Sequence, residues 1–349
     1  MPKDVGEDSE RIYERFQLIV NGPALFNAVV TGLDLDIFGF LSRHPGSTFE
    51  DLREATGLLT HKLRVLMLAL CSTELVDRRE GRYTNSAVAE ELLAPNSTES
   101  WRHILPGWQK IYYPAFPHMT EALRSGTNTL ALAAHPGTEP TLYQRLAHNP
   151  ELQEALHTSM AAFTLRSLPA LLDNPEIATV SHLLDVGGGD GTTARRLAAR
   201  HTGMRVTVFD MPSVTRLAGD PAATGVERVG LHPGDIFQDA FPHGADGVLF
   251  SHVLEVFSPE EITGLLVKAF RALPSGGKVF LYGFNIPEEE NRGVLSARLS
   301  LYLNVLATGQ GMAYPAQDYE RWCEDAGFSD VKSFTDLPYE HGLTVGTKA

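Results

Sequence analysis

Between residues 12 and 41, apolar side chains return every three or four positions: Ile19, Val20, Leu25, Phe26, Val29, Val30, Leu33, Ile37 and Phe38. This spacing lays an apolar stripe along a helix and predicts one or two amphipathic helices, interrupted near Gly22-Pro23, where proline removes a backbone donor. Ser47, followed three residues later by Glu50, predicts a capping box for a short helix ending near Gly57. Thr60 is placed to cap a second helix carrying Leu63, Leu66, Met67 and Leu70. Residues 75–84 then form two short strands around a glycine turn. Helix, helix and hairpin in this order make a winged-helix pattern.

Further on the texture changes twice. Residues 101–175 are helical in pattern, broken by Pro106, Pro114, Pro117 and Pro136, with an aromatic cluster at Trp108, Tyr112, Tyr113 and Phe116. From Ser181 onward, short apolar runs at 182–186, 205–209, 226–231, 247–250, 278–284 and 343–346 are separated mostly by helical stretches. Strand and helix in alternation predict a doubly wound, largely parallel α/β sheet. The chain divides accordingly into a helical, winged-helix domain (1–100), a helical linker and pocket region (101–175) and a sheet domain (176–349).

Charge narrows the partners. A winged helix raises nucleic-acid binding first, but its second helix offers only His61, Lys62 and Arg64, and the hairpin adds Arg78, Arg79 and Arg82. The whole chain carries 43 acidic against 29 basic residues, a net charge of −14, and a phosphate-rich partner needs clustered cations. No nucleic-acid partner is therefore expected. Residues 33–40 and 65–70 are apolar enough to leave a large exposed patch on a lone copy, so this module is expected to be a dimerisation platform and the protein a homodimer. Cys71 and Cys323 lack metal-ligand spacing. The first ten residues contain no apolar signal core, and no apolar run reaches the roughly 20 residues that span a bilayer. These features predict a cytoplasmic protein that acts on small molecules, not at a membrane.

The chemistry concentrates at the ends of the first three strands of the sheet domain. Leu183-Leu184-Asp185-Val186 runs into Gly187-Gly188-Gly189-Asp190-Gly191, and a helix follows from Thr192. Glycines permit a tight turn and a close backbone approach to a ligand. A dinucleotide site would place pyrophosphate here, at a helix N-terminus, but Asp185 brings negative charge to that place and suits an ammonium instead. The next strand ends in Phe209-Asp210-Met211, whose acid lies about 20 residues past the glycines and can take both hydroxyls of a ribose. Gly234-Asp235-Ile236-Phe237 follows the third, with an acid for an adenine amino group and apolar neighbours for its ring.

In these stretches, and in Leu273-Pro274-Ser275-Gly276-Gly277-Lys278-Val279 and His341-Gly342-Leu343, residues 12–348 resemble the plant-type small-molecule O-methyltransferases, in their bacterial natural-product branch. The resemblance implies an N-terminal winged-helix dimerisation domain and a Rossmann-like class I methyltransferase domain using S-adenosylmethionine, with S-adenosylhomocysteine as product. It places Asp185, Gly187, Gly189, Asp210, Met211, Asp235, Ile236, Phe237, Ser251 and Phe257 around the cofactor, and Met160 where the family often has a substrate-contacting methionine.

Phenol-methylating relatives carry a His-Asp-Trp segment after the fourth strand, whose histidine takes the acceptor proton, and plant members hold it with two glutamates. Here Glu255 stands at the base position, and the two glutamate positions fall at Gly283 and about Ala313. Four readings remain open. Glu255 is the base, its pKa raised by burial; or His252, one turn earlier if the segment is helical, replaces it or pairs with it; or the acceptor is a carbon activated by its own ring hydroxyl or keto group; or the chain only binds the cofactor, as a winged-helix regulator. His252 and Glu255 alone make a poor metal site, and none is expected. The favoured function is methyl transfer to a small phenolic or arylpyruvate-like natural-product intermediate, carbon preferred over oxygen, with O-methylation of a phenol or carboxylic acid as the alternative. The acceptor wall is expected from Trp108, Tyr112, Tyr113, Met160 and Phe163 on one side and Leu301, Asn304 and Met312 on the other, with His103 and Asn304 as polar contacts.

Overall fold

A computed structural model describes residues 7–215 and 228–349. The chain forms two compact units, one of residues 1–110 with 158–162 and the other of residues 111–157 with 163–349.

The first unit begins with a helix, Glu7–Asp34, that continues through Pro23. The expected break at Gly22-Pro23 does not occur. Proline costs one backbone donor, and the turns beyond it are held by Val29, Val30 and Leu33, which are buried. Ile12, Tyr13, Phe16 and Ile19 are exposed on the same helix. Unbroken, its Ser9–Asp34 stretch is long and apolar enough to cross a bilayer, contrary to the sequence expectation; length and composition do not distinguish such a helix from one that packs on protein. The capping box of the next short helix, Phe49–Thr56, is Thr48 with Asp51, one residue past the expected Ser47 and Glu50. Ser47 is drawn into strand β1 (Ser47–Thr48), where it pairs with Tyr83. The helix Thr60–Ser72 starts without a side-chain cap, because Thr60 is its first residue and Leu59 holds the cap position. Strands β2 (Val76–Arg79) and β3 (Arg82–Asn85) form the hairpin, and β1 lies beside β3 in a three-stranded antiparallel sheet. Helices with this small sheet make the winged-helix module.

The second unit is built on β4 (His182–Val186), β5 (Arg205–Asp210), β6 (Val229–Pro233), β7 (Gly247–Ser251), β8 (Lys278–Ile286), β9 (Tyr314–Pro315), β10 (Ser329–Leu337) and β11 (His341–Thr347). Their order is β10-β11-β8-β7-β4-β5-β6, with β9 beside the end of β8. The strands β4 to β8 pair in parallel, and β11 and β10 are added antiparallel. Part of the expected third strand, residues 226–227, lies outside the described residues. The edge strand β10 had no clear sequence signal, because it alternates exposed and half-buried positions and has two irregularities in its pairing.

Both faces of the sheet are covered. Leu184, Val186, Val248, Phe250 and Leu281 pack with Ile262, Leu265, Leu266 and Ala269 of the helix Pro259–Ala272. Leu183, Val206, Val208, Leu249 and Phe280 pack on the other side with Ala194, Leu197 and Ala198 of the helix Thr192–Arg200. This is why the strands read as continuous apolar runs rather than alternating ones. It is also why polar side chains needed for chemistry collect where the strands end.

Candidate active site

The fork between β4 and β5 holds the densest polar geometry. Gly187 and Gly189 have φ of +71° and +62°, and a Cβ on Gly187 would come within 2.7 Å of Val253 Cγ2. The Gly187 N–H donates to Phe209 O at 2.8 Å and the Gly189 N–H to Asp210 Oδ2 at 2.8 Å, which ties the glycine turn to the end of β5. Asp210 Oδ1 accepts from the Met211 N–H at 2.7 Å. Asp185 is completely buried. Among the described residues neither of its oxygens has a hydrogen-bond partner. Burial, and then the charge of Asp210, push its pKa up to about 7. Burial also raises that of Asp210, against the lowering effect of its two backbone donors. A fully buried carboxylate without a donor is costly. Asp185, with the half-buried Asp210 beside it, disfavours anions and favours a ligand that brings a cation and hydroxyl donors.

At the end of β6, Asp235 Oδ1 accepts from the backbone N–H groups of Phe237 (2.7 Å) and Gln238 (3.2 Å), so this oxygen is committed to its own turn. Phe237 meets Phe257 edge to face at 5.0 Å between ring centroids. Phe257, Ile236 and Met312 pack against one face of the sheet core. Met211 and Phe237 are about half exposed, an unusual state for large apolar side chains and one that a flat ligand could cover. The cofactor residues expected from the sequence thus gather in two neighbouring sets, an acidic set at Asp185, Gly189 and Asp210 and an apolar set at Ile236, Phe237 and Phe257.

After β7 the chain turns sharply. His252 has φ of +57°, and Leu254–Val256 is a single 3-10 turn, so the condition for His252 to stand one helical turn from Glu255, a helical segment, is not met. Of the readings left open, the pairing of His252 with Glu255 does not occur: His252 Nε2 lies 2.9 Å from His341 Nε2, and its Nδ1 lies 3.2 Å from Ser251 Oγ. The acceptors fix the hydrogens. His341 Nδ1 must donate to Tyr339 O at 2.8 Å, so its Nε2 accepts from the His252 Nε2–H, and His252 Nδ1 accepts from the Ser251 hydroxyl. Burial pushes His341 down to about 4 and His252 well below the ordinary imidazole value, so both are neutral.

Glu255 is 4% exposed. Its carboxylate lies over Gly283: a Cβ there would be 2.7 Å from Oε1 and 2.8 Å from Oε2. Burial pushes its pKa up to about 7, against the lowering effect of the backbone N–H groups of Glu255 and Phe284. The segment is fixed from outside, since Thr308 Oγ1 donates to Val256 O (3.1 Å) and Tyr314 Oη to Phe257 O (2.9 Å). A buried, rigid carboxylate with a pKa near neutrality is suited to proton transfer.

The expected acceptor residues divide between the units. His103, Trp108 and Met160 belong to the first; Trp108 is buried edge to face with Trp101, His103 is half-buried and Met160 exposed. Tyr112, Phe163, Asn304 and Met312 belong to the second. There Tyr112 stacks on Tyr302 at 4.0 Å, and Phe163 stacks on Phe284 at 5.3 Å and on His341 at 6.0 Å. Asn304 donates both Nδ2 hydrogens, to Ser300 O and to Gly311 O, so it can offer a ligand only its carbonyl oxygen. Sequence reasoning missed Val253, whose side chain closes on Gly187, and treated Gly283 as a lost glutamate when it is the space that Glu255 fills.

A doubly wound sheet with acids at successive strand ends defines a class I S-adenosylmethionine-dependent methyltransferase. The chain belongs to the O-methyltransferase domain family, whose model matches residues 116–329. It is similar to the L-tyrosine C(3)-methyltransferase of Streptomyces lavendulae, 30% identical over 335 residues that cover 95% of this chain and 91% of that protein. It is also 30% identical, over 304 residues, to the 3-hydroxy-5-methyl-1-naphthoate 3-O-methyltransferase of Streptomyces sahachiroi, covering 84% of this chain and 83% of that one. Among solved structures, the S-adenosylmethionine-dependent methyltransferase SibL superposes with a TM-score of 0.86 at 32% identity, over 96% of this chain and 98% of that one. Human N-acetylserotonin methyltransferase in complex with S-adenosylmethionine shares the fold, with a TM-score of 0.84 at 20% identity and full coverage of both chains. The protein is therefore an S-adenosylmethionine-dependent methyltransferase of small natural-product substrates.

Proposed function

We propose that the protein methylates a ring carbon of a small aromatic acid, phenolic or arylpyruvate-like, with Glu255 as the base. The observation that carries this reading is the buried Glu255 carboxylate seated over Gly283, the two positions at which the resemblance puts the family's histidine and one of its supporting glutamates. The similarity to a tyrosine C(3)-methyltransferase supports carbon as the acceptor. The similarity to a naphthoate 3-O-methyltransferase supports a second reading, transfer to a phenolic oxygen by the same base.

The residues present fit the cofactor. Asp185, buried and without a donor of its own, would face the ammonium of the methionine moiety, Asp210 the ribose hydroxyls, and the second oxygen of Asp235 the adenine amino group, with Ile236, Phe237 and Phe257 against the ring and Met211 and Ser251 beside it. Bound S-adenosylmethionine supplies a sulfonium methyl, an electrophile that needs no further activation. The protein's part is alignment of acceptor, methyl and sulfur, which contributes up to roughly 7–11 kcal/mol, and removal of one proton. On carbon, a ring position next to a phenol hydroxyl would form the new C–C bond as the bond from methyl to sulfur breaks and neutral S-adenosylhomocysteine is left; Glu255 would take the phenol proton as the bond forms, the ring hydrogen then passing through solvent to the phenol oxygen, or would take the ring proton afterwards, one proton being lost in either case.

The exposed apolar side chains of the first helix, Tyr13, Phe16, Ile19 and Val20, suit a homodimer interface, and a cytoplasmic setting fits the free cysteines Cys71 and Cys323. The test is turnover of aromatic acids with labelled cofactor, followed by NMR of the product. A methyl signal on an aromatic carbon is expected. A methoxy signal would establish the second reading, and binding of S-adenosylhomocysteine with no transfer to any of these acids would overturn the aromatic-acid reading. A monodisperse monomer in light scattering would remove the dimer.

A further inference from the structure

Ser251 is the last residue of β7 and lies on the same face of the sheet as Asp185. The strands β4 and β7 are parallel neighbours in which Asp185 pairs with Leu249. Leu183 and Leu249 pack in one core, so Asp185 and Ser251, each two residues further along its strand, point to that same side. The chain then turns on His252, whose φ of +57° is a backbone that glycine or asparagine adopts more readily. A ring kept at such a position points to a use for the ring. Its Nδ1 accepts from the Ser251 hydroxyl (3.2 Å), its Nε2–H donates to His341 Nε2 (2.9 Å), and the His341 Nδ1–H donates to Tyr339 O (2.8 Å). A carbonyl oxygen only accepts, so the direction of each hydrogen follows from Tyr339 O back to Ser251. Tyr282 packs edge-on against His252 at 5.5 Å and Phe284 against His341 at 4.6 Å between ring centroids, which holds both rings in place. The single hydroxyl hydrogen of Ser251 is thus spent on His252, and among the described residues no group donates to its oxygen. To a ligand Ser251 offers lone pairs alone.

On the reading that Asp185 faces the ammonium of the cofactor, we propose that His341 and His252 are positioning residues that make Ser251 a second acceptor for that ammonium. The order of the strands, β7-β4-β5-β6, supports the place. With the ribose at Asp210 on β5 and the adenine at Ile236 and Phe237 after β6, the methionine moiety extends the other way, over the ends of β4 and β7. This puts Ser251 at the methionine end of the ligand rather than beside its ring. Neighbouring strands lie about 4.8 Å apart and two residues advance a strand by about 6.6 Å, so the two side chains start roughly 8 Å apart on a diagonal, a gap that an ammonium donating to both oxygens can span. A serine hydrogen turned toward the cation would oppose that attraction, and the histidine pair draws it away before the ligand arrives.

The test is calorimetry on the full-length protein with two ligands, S-adenosylhomocysteine and 5′-methylthioadenosine, which keeps the nucleoside and the sulfur but has no amino-acid group. Ser251→Ala should weaken binding of S-adenosylhomocysteine by roughly tenfold or more, the value of a hydrogen bond to a charged group, and leave 5′-methylthioadenosine unchanged. His341→Phe keeps an aromatic ring against Phe163 and Phe284 but removes the Nε2 acceptor. It should give the same selective loss, and the double variant should lose no more than Ser251→Ala alone. Equal losses for the two ligands in either single variant, or additive losses in the double variant, would show a structural role and overturn the proposal. If His341→Phe has no cooperative melting transition, nitrogen NMR of the unaltered protein decides. Scalar coupling between the two Nε2 nuclei identifies the pair, and His252 should carry its proton on Nε2 with Nδ1 bare; a proton on His252 Nδ1 would overturn the proposal. Asp185→Asn separates the proposal from the reading beneath it. If this variant binds S-adenosylhomocysteine as the unaltered protein does, the ammonium is not at the fork and both fall. If it weakens S-adenosylhomocysteine selectively and Ser251→Ala does not, the proposal alone falls.

Discussion

The cofactor fork and the base segment lie at the ends of neighbouring strands, β4 with β5 and β7 with β8, yet they are built on opposite principles. In the fork, Asp185 apart, the functional groups are tied to backbone within the turns at the strand ends. Gly189 is held by Asp210, Gly187 by Phe209 O, and Asp235 by Phe237 N–H. In the base segment, Glu255 depends on what other parts of the chain do not have, a side chain at Gly283 and one at Gly311, where a Cβ would stand 2.3 Å from Glu255 O. A fork of the first kind tolerates no exchange of parts, because each residue both binds and shapes. On the proposed reading, the second kind can change its chemistry by a paired exchange, with a glutamate and a glycine at the two positions where the resemblance puts a histidine and a glutamate.

The sharpest way to break the comparison is to remove the proton-accepting group and leave its shape. Glu255→Gln is expected to lower kcat by roughly 10²–10⁴-fold while calorimetric affinity for S-adenosylhomocysteine stays unchanged. A parallel loss of cofactor affinity would show that the two regions are not separate. In the fork the expectation is reversed. Asp210→Ala removes the acceptor for the Gly189 and Met211 N–H groups as well as the one proposed for a ribose. Cofactor affinity should fall by about 1.5–3 kcal/mol for each charge-assisted bond lost, and protection of the glycine turn in hydrogen exchange should fall with it. Unchanged affinity would remove the ribose assignment.

This contrast also explains what the sequence disclosed. The strands, the glycine turn and the acids at 185, 210 and 235 were legible because local backbone geometry demands those residue types in that order. The interruption at Pro23 was wrong because local helix rules ignore the burial of Val29, Val30 and Leu33 beyond it. Glu255 could be picked out by position, but its surroundings could not: Gly283 is 28 residues away and its meaning is the absence of a Cβ, which no pattern of side chains announces. His341, the partner of His252, is 89 positions along the chain.

A smaller effect should come from the floor of the base segment. Gly283→Ala would place a Cβ 2.7 Å from Glu255 Oε1, so the carboxylate must move or the strand must give. Overpacking of this kind costs about 1–3 kcal/mol, and the expected result is a lowered melting temperature and a drop in kcat with KM for S-adenosylmethionine unchanged. If Gly283→Ala is as stable and as active as the parent, Glu255 does not need this seat, and the paired-exchange account fails.

The mildest variant separates the two candidate bases by pH. Glu255 has a pKa near 7 and must be ionised to accept a proton, so kcat is expected to rise with pH through a midpoint near 7. His252 and His341 are neutral throughout that range, His341 titrating near 4, and the pair gives no limb there. Asparagine tolerates the left-handed backbone of residue 252, so His252→Asn should keep the limb in place and lower kcat by no more than about tenfold, the value of one neutral hydrogen bond. Glu255→Gln should lose the limb. Stability has the opposite sign: for Asp185 and Glu255 the folded state raises the pKa, so their contribution is complete below about pH 4 and is lost as pH rises through about 7. The melting temperature of the cofactor-free protein should therefore fall over this interval, and S-adenosylhomocysteine, whose ammonium would favour ionised Asp185, should offset part of the fall. If His252→Asn shifts the kinetic limb and Glu255→Gln does not, the base is His252.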